Sequence, residues 1–289
     1  MNNERNIIAK KVSIWGIIGN FLLFLIKIVI GILSHSQSMI ADSFNSAGDV
    51  FASFMTWIGN RISSVPNDND HNFGHGKAEY IFSMLISISM IVVAGYLFYD
   101  SLESIIHGNQ LIFSYHLLIV CFITFLVKIS LYLYAKKNYL KKANLLIKAN
   151  MLDHRNDMVI TLFTTISIIL AKNNIYFVDG IVGIGISLWI FITGVKIFKE
   201  SYDVLMDISL DNESKNNLLE IIQSYHEVKR IGNIYSIPIG YKYIVVLTIF
   251  VDGQMQTKDS HLIADEIETK IIKNSDKIEQ VIVHVEPYN

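Results

Sequence analysis

The sequence predicts an α-helical membrane protein with six transmembrane helices followed by a C-terminal α+β domain of order αββαβ. Three observations carry that prediction. The chain is 52% hydrophobic and 17% charged with a mean hydropathy of +0.40, well above a soluble domain of its length. It holds six apolar stretches, each near the roughly 20 residues that a helix needs to cross a bilayer. Near Asp207 the long apolar runs give way to short segments of helical and of alternating periodicity. The predicted division is therefore 1–206 for the membrane part and 207–289 for the second domain.

The spans fall at about 12–33, 38–63, 79–106, 113–135, 145–171 and 177–199. MNNERNIIAKKVSIWG places basic residues before an apolar run, as a signal peptide does, but the run continues to Leu33 without a small-residue cleavage site and reads as a first span. The second and fifth spans are the least apolar, so they are expected to face other helices rather than lipid. Orientation follows from the basic residues. Arg5, Lys10 and Lys11 precede the first span, and Arg61 and Lys77 lie between the second and third. Lys136, Lys137, Lys141, Lys142 and Lys148 surround the fourth-to-fifth connection, and Lys196 and Lys199 end the sixth span. The intervening connections offer only Lys172. Both termini are thus expected in the cytoplasm. Short loops and the lack of a targeting segment favour a bacterial plasma membrane.

Beyond Asp207, DNESKNNLLEIIQSYHEV has helical spacing, NIYSIPIG and YKYIVVLTIFVD read as strands, SHLIADEIETKIIKNS as a second helix and EQVIVHVEP as a last strand. Such a domain is near the small end for independent stability, so association with a second copy is expected.

Several classes are excluded. A net charge of −2 without a basic stripe gives no footprint for a nucleic acid. The single Cys121 rules out an intrachain disulfide or a thiolate cage, so metal chemistry would have to use oxygen and imidazole. There is no HExxH helix, no GxSxG elbow and no paired nucleophile and base in any span, so a membrane hydrolase is disfavoured.

Polar clusters interrupt two spans. ADSFNSAGD sets Asp42, Asn45 and Asp49 in the second, and NMLDHRNDMV sets Asp153, His154, Arg155 and Asp157 in the fifth. Residues four apart share a helix face, so Asn45 with Asp49 and Asp153 with Asp157 form two polar faces. If the faces meet, three carboxylates and an amide converge in low dielectric, where either a divalent cation or protons relieve their repulsion. A site that accepts either can exchange one for the other. Asp42 has no partner at its own helical spacing and reads equally as interhelical glue, while His154 and Arg155 lie off the acidic face as packing or pairing residues. A second cluster, PNDNDHNFGHGKAE, spaces Asp68, His71 and His75 as a metal chelate would. By composition it is also an ordinary solvated loop.

SQSMIADSFNSAGDVFAS, DNDHNFGHGKAE, ANMLDHRNDMV and HLIADEIE followed by VIVHVEP occur in the order found in the cation diffusion facilitators, and the chain resembles that family over essentially its whole length. The resemblance implies a homodimeric divalent-metal/proton antiporter with six spans, a ferredoxin-like cytoplasmic domain, no prosthetic group and a transported metal as its ligand. It places the transport site at Asn45, Asp49, Asp153 and Asp157. Zinc-type members carry His or Asp at the first of these positions and His at the third, and this chain has neither histidine. Zn²⁺ favours nitrogen or sulfur donors, whereas Mn²⁺ is well served by oxygen. Raw affinity still rises from Mn²⁺ to Zn²⁺, so selectivity must come from geometry and supply. The site resembles the manganese-exporting bacterial branch, giving Mn²⁺ first, Fe²⁺ or Co²⁺ next and Zn²⁺ lower.

The resemblance also matches Asp68, His71 and His75 to a secondary metal position, and His261, His284 and Glu286 to part of a cytoplasmic metal site. Thr248 and the Gly232/Asn233 region fall where other cytoplasmic ligands are expected. Lys77 and Asp207 match a pair that locks the dimer, although an ordinary surface ion pair is the plainer reading and is worth little. The competing expectation from another class is a non-transporting membrane sensor or scaffold. It would have no need to maintain costly buried carboxylates.

Overall fold

The computed structural model describes residues 2–33, 37–107, 115–171 and 177–288. These form two compact units, one of Met1–Val65 and Ala78–Tyr202, the other of Pro66–Lys77 and Asp203–Asn289.

Among the described residues the first unit contains six long helices: α1 (Asn2–Leu33), α2 (Gln37–Ser63), α3 (Ala78–His107), α4 (Tyr115–Lys141), α5 (Leu145–Ala171) and α6 (Phe177–Leu205). Among the described residues, α1, α3 and α4 are long and apolar enough to span a membrane by length and composition. Several helices run past the spans expected from hydropathy. α1 begins ten residues earlier because NNERNIIAKK continues the helix as a polar extension, and α4 continues through Lys136 and Lys137 to Lys141. Hydropathy marks the lipid-facing length, not where backbone hydrogen bonding stops.

The burial pattern is inverted relative to a soluble bundle. Trp15, Leu22 and Val29 of α1 and Val92 and Tyr96 of α3 face outward, while Ser13, Asn20, Ser53, Thr56, Ser83 and Ser87 are buried. Lipid is as apolar as leucine, so large side chains gain nothing by leaving it. Small and polar residues instead let helices approach and hydrogen-bond. Asn20 Nδ2 donates to the Asp49 carbonyl (3.1 Å) and to Ser53 Oγ (3.3 Å), and Asn150 Nδ2 donates to Ser53 Oγ (3.3 Å), joining α1, α2 and α5.

One end of the bundle is fastened by a buried ion pair. Arg5 meets both oxygens of Glu79 at 2.8 and 2.7 Å, and Arg5 Nε donates to the Ala143 carbonyl (2.8 Å). Glu79 Oε1 also accepts from Leu145 N (2.6 Å), and Asn144 Oδ1 accepts from Ile147 N (3.1 Å). The start of α5, where amide groups lack intrahelical acceptors, is therefore capped by an asparagine and by a carboxylate from another helix.

The second unit contains α7 (Asn212–Gln223), β1 (Arg230–Pro238), β2 (Tyr243–Asp252), α8 (Thr257–Asn274) and β3 (Ile278–Tyr288), the expected αββαβ order. The sheet order is β1-β2-β3, with β1 antiparallel and β3 parallel to β2. β2 is central, and its buried Val245, Leu247, Ile249 and Val251 pack with Leu218 and Ile222 of α7 and Ile267 and Ile271 of α8. The register shifts between Ile231 and Ile234, so Gly232 and Asn233 lie at an irregularity in the ladder.

Asp211 caps α7, accepting from Ser214 N (2.8 Å), and pairs with Lys277 Nζ (2.9 Å). The Lys277 hydrogen bond first, and then the Ser214 amide, hold the Asp211 carboxyl well below the usual aspartate range. A depressed folded-state pKa contributes stability above the ordinary aspartate range and loses it as pH falls through the folded value. Asp211→Ala is expected to weaken α7 by about 1 kcal/mol at neutral pH, with the difference from wild type vanishing under strong acid. Hydrogen exchange of the α7 amides in the full-length chain, measured against pH, checks this.

The Pro66–Lys77 loop belongs to this second unit, although the sequence division at residue 206 assigns it to the membrane part. Its backbone meets the β1–β2 turn: a Cβ on Gly76 would lie 2.6 Å from the Ile239 carbonyl oxygen, and Gly240, at φ +112°, faces Gly76 across a comparable gap.

Candidate metal site

Asp49 sits at mid-length on α2, and Asp153 and Asp157 sit one turn apart on α5. Carboxylate oxygens of Asp153 and Asp157 and a ring nitrogen of His154 all lie within 4.8 Å of one another. Asp49 is brought to this cluster through Lys128 of α4, whose Nζ donates to Asp49 Oδ2 and to Asp157 Oδ2, each at 2.6 Å. Three carboxylates from two helices therefore converge. Asp153 Oδ2 is buried and has no hydrogen-bond partner among the described residues, which leaves it available to a cation. Asn45 lies one turn before Asp49 on α2, but its side chain and that of Asp42 are outside the described residues.

Two members of this cluster escaped the sequence reading. Lys128 stands alone in the apolar run LLIVCFITFLVKISLYLY and is only 1% exposed. An ionisable residue in mid-span is itself a signal of function, and it went unused because no carboxylate lies near it in sequence. His154 was expected off the acidic face, yet its ring, 1% exposed, reaches Asp153 and Asp157. A step of one residue turns about 100° around a helix, and a flexible side chain can recover part of that angle. Arg155 does point elsewhere, with its guanidinium 4.3 Å from the Trp189 ring centre and donating to Thr193 Oγ1 (3.3 Å). Lys27 of α1 is a second buried cation.

The loop residues also come together. Asp68 Oδ1 lies 3.2 Å from His71 Nδ1, Asp68 Oδ2 lies 3.7 Å from His75 Nε2, and ligand atoms of all three are within 4.8 Å of one another. Hydrogen bonding, led by the His71 amide (2.7 Å), lowers the Asp68 pKa. The arrangement is open to solvent and suits a divalent cation with two imidazoles and one carboxylate.

In the second unit, His284 Nε2 and Glu286 Oε1 lie 2.8 Å apart on β3. His261, on α8, does not join them as a three-residue cluster among the described residues. Lys77 Nζ contacts Asp207 Oδ1 at 2.7 Å within the chain, with the two side chains 38% and 55% exposed. Asp207 adopts φ 57° just beyond α6, and the Ile208 amide bonds back to the Asp203 carbonyl (2.8 Å). That left-handed turn ends the helix and holds a carboxylate where Lys77 can reach it.

An inverted bundle with buried carboxylates, joined in sequence to an αββαβ domain, defines a membrane carrier of cations. Residues 13–206 match the cation efflux transmembrane domain and residues 210–288 match the cytoplasmic domain of cation efflux proteins. The manganese efflux system protein MneP of Bacillus subtilis is 31% identical over 295 residues, covering 100% of this chain and 99% of that protein. The manganese efflux system protein MneS of the same organism is 30% identical, covering 92% and 91%. The magnetosome protein MamM of Magnetospirillum gryphiswaldense is 26% identical, covering 94% and 86%. The chain belongs to the cation diffusion facilitator family. It is a divalent metal efflux transporter and not an enzyme, a multi-pass membrane protein that dimerises and carries a cytoplasmic C-terminal domain.

Proposed function

We propose that this chain exports Mn²⁺ from the cytoplasm in exchange for protons, through a site made by Asn45, Asp49, Asp153 and Asp157. The observation that carries the reading is the convergence of the buried Asp49 with the half-buried Asp153 and Asp157, and an unpartnered Asp153 oxygen among them. At the place where zinc-type members carry histidine, this chain carries Asp153, and hard oxygen donors suit Mn²⁺. The manganese efflux function named for MneP and MneS supports the same metal. In the cytoplasm-facing state the carboxylates load metal, and in the outward-facing state protons take its place. Residues 207–289 would sense cytoplasmic metal and hold the dimer, helped by Lys77 and Asp207. Asp68, His71 and His75 would form an accessory site, and His284 with Glu286 at most a partial one.

His154 favours a second reading. An imidazole beside Asp153 and Asp157 gives a nitrogen donor to a metal that wants one, which supports Zn²⁺, Fe²⁺ or Co²⁺ export by the same route. Uptake into proteoliposomes under an imposed pH gradient separates the readings. Wild type is expected to move Mn²⁺ in preference to Zn²⁺, and Asp153→His to gain Zn²⁺ transport. A wild type that prefers Zn²⁺ would transfer the assignment to the second reading. Movement of neither metal would favour a sensor or scaffold.

A further inference from the structure

We propose that Lys128 is a tethered competitor of the transported metal: its ammonium takes the Asp49 and Asp157 oxygens between transport events, and metal loading drives it one turn along α4 to Thr124. The inference rests on the reading of Asp49 and Asp157 as transport ligands and adds a residue that this reading does not contain.

Three observations support it. Asp49 Oδ2 and Asp157 Oδ2 both lie 2.6 Å from Lys128 Nζ. Divalent cations bind carboxylate oxygen at about 2.0–2.6 Å, so the nitrogen stands nearly where a cation bridging α2 and α5 would stand. An ammonium and a metal ion cannot share that point. The side chain is also fully enclosed, so on leaving the carboxylates it cannot move into water and needs another buried acceptor. Thr124 supplies one. It lies four residues earlier on the same face of α4, and its Oγ1 is buried without a hydrogen-bond partner among the described residues. One helical turn is about 5–6 Å along the axis, a distance that a lysine side chain spans by changing rotamers.

The arrangement does two things for a carrier. It keeps two buried carboxylates paired when no metal is bound, so the site need not repel itself apart or collapse. It also limits affinity: the ammonium is always present at high effective concentration, so the metal must be bound strongly enough to displace it and is helped off when the site opens outward. A carrier that binds too tightly does not release.

The test uses the full-length chain in detergent, with Mn²⁺ binding followed by calorimetry and transport followed in proteoliposomes. Asp157→Asn serves as the blank for binding at the loop and cytoplasmic positions. Lys128→Met keeps the length of the side chain and removes the charge. It is expected to bind Mn²⁺ about tenfold tighter while transporting with both a lower KM and a lower kcat, the split expected when release slows. Lys128→Arg, whose planar fork grips two carboxylates at once, is expected to bind Mn²⁺ more weakly than wild type. Thr124→Val is expected to weaken binding in wild type and to have no effect in the Lys128→Met background.

A folded Lys128→Met that binds no tighter overturns the proposal. Should that variant fail to fold, a Thr124→Val or Lys128→Arg protein with unchanged affinity overturns it equally. If Asp157→Asn binds and transports as wild type does, the transport-site reading itself fails. If Asp157→Asn is silent in transport while Lys128→Met behaves as wild type, only the competitor role is lost.

Discussion

Asp157→Ala is expected to lower metal transport by about a hundredfold or more while leaving the protein folded. The two effects separate because of Lys128. Losing Asp157 removes a carboxylate from the converging set, but the ammonium keeps its 2.6 Å contact with Asp49 and is not stranded. Asp49→Ala is symmetrical, since Asp157 remains. The double variant differs from both. It leaves a fully buried ammonium without either hydrogen-bonded carboxylate, a change that costs about 3–5 kcal/mol, so its melting temperature should fall far more than the two single effects combined. Flux into proteoliposomes and thermal melting of the same preparations measure both quantities. Wild-type flux in Asp157→Ala would remove that residue from transport.

The largest single effect on stability is expected at Glu79. Glu79→Ala takes the partner carboxylate from the buried Arg5 guanidinium, which keeps its bond to the Ala143 carbonyl, and removes the acceptor for the Leu145 amide at the head of α5. Breaking one side of a buried ion pair costs about 3–5 kcal/mol, and the loss of a helix cap adds about 1. Glu79→Gln should recover part of this, because an amide oxygen can still accept from Leu145 N and from Arg5. Replacing both members, with Arg5→Met and Glu79→Leu, should cost less than Glu79→Ala alone, since no buried guanidinium then loses its carboxylate. Thermal unfolding in detergent, followed by size-exclusion chromatography, orders the three. If Glu79→Ala melted with wild type, the pair would have to be solvated rather than enclosed.

The six helices and the αββαβ domain were legible because both write themselves in period and length. Apolar runs of bilayer length and alternating strands such as YIVVLTIFVD reflect local requirements that any sequence must meet. The ends of α1 and α4 were not legible in hydropathy, because a polar extension beyond the lipid has no signature in an apolar count. The aspartate pairs on α2 and α5 could be paired from their spacing of four. That their faces meet is a tertiary fact, and the same fact recruits Lys128 from a distant helix, which spacing along one helix does not reveal. Helical position places His154 off the acidic face, while its ring nitrogen lies within 4.8 Å of oxygens of Asp153 and Asp157: an idealised helical wheel assigns directions to Cβ atoms, whereas proximity is decided by the far end of the side chain. The Pro66–Lys77 loop was assigned to the membrane part because it connects two spans, yet its partner is a β-turn encoded far along the chain.

That last contact bears on how the protein can vary. Gly76 and Gly240 face each other backbone to backbone with no room for a methyl group on either, and Gly240 in addition holds a φ that L-residues rarely adopt. A mutation at one position cannot be rescued by shrinking the other, because neither has anything left to remove. Each glycine therefore closes off its partner's freedom to change, and a saturation library of the whole chain should find two intolerant positions, remote in sequence, whose constraint is one of volume at Gly76 and of volume and backbone conformation together at Gly240.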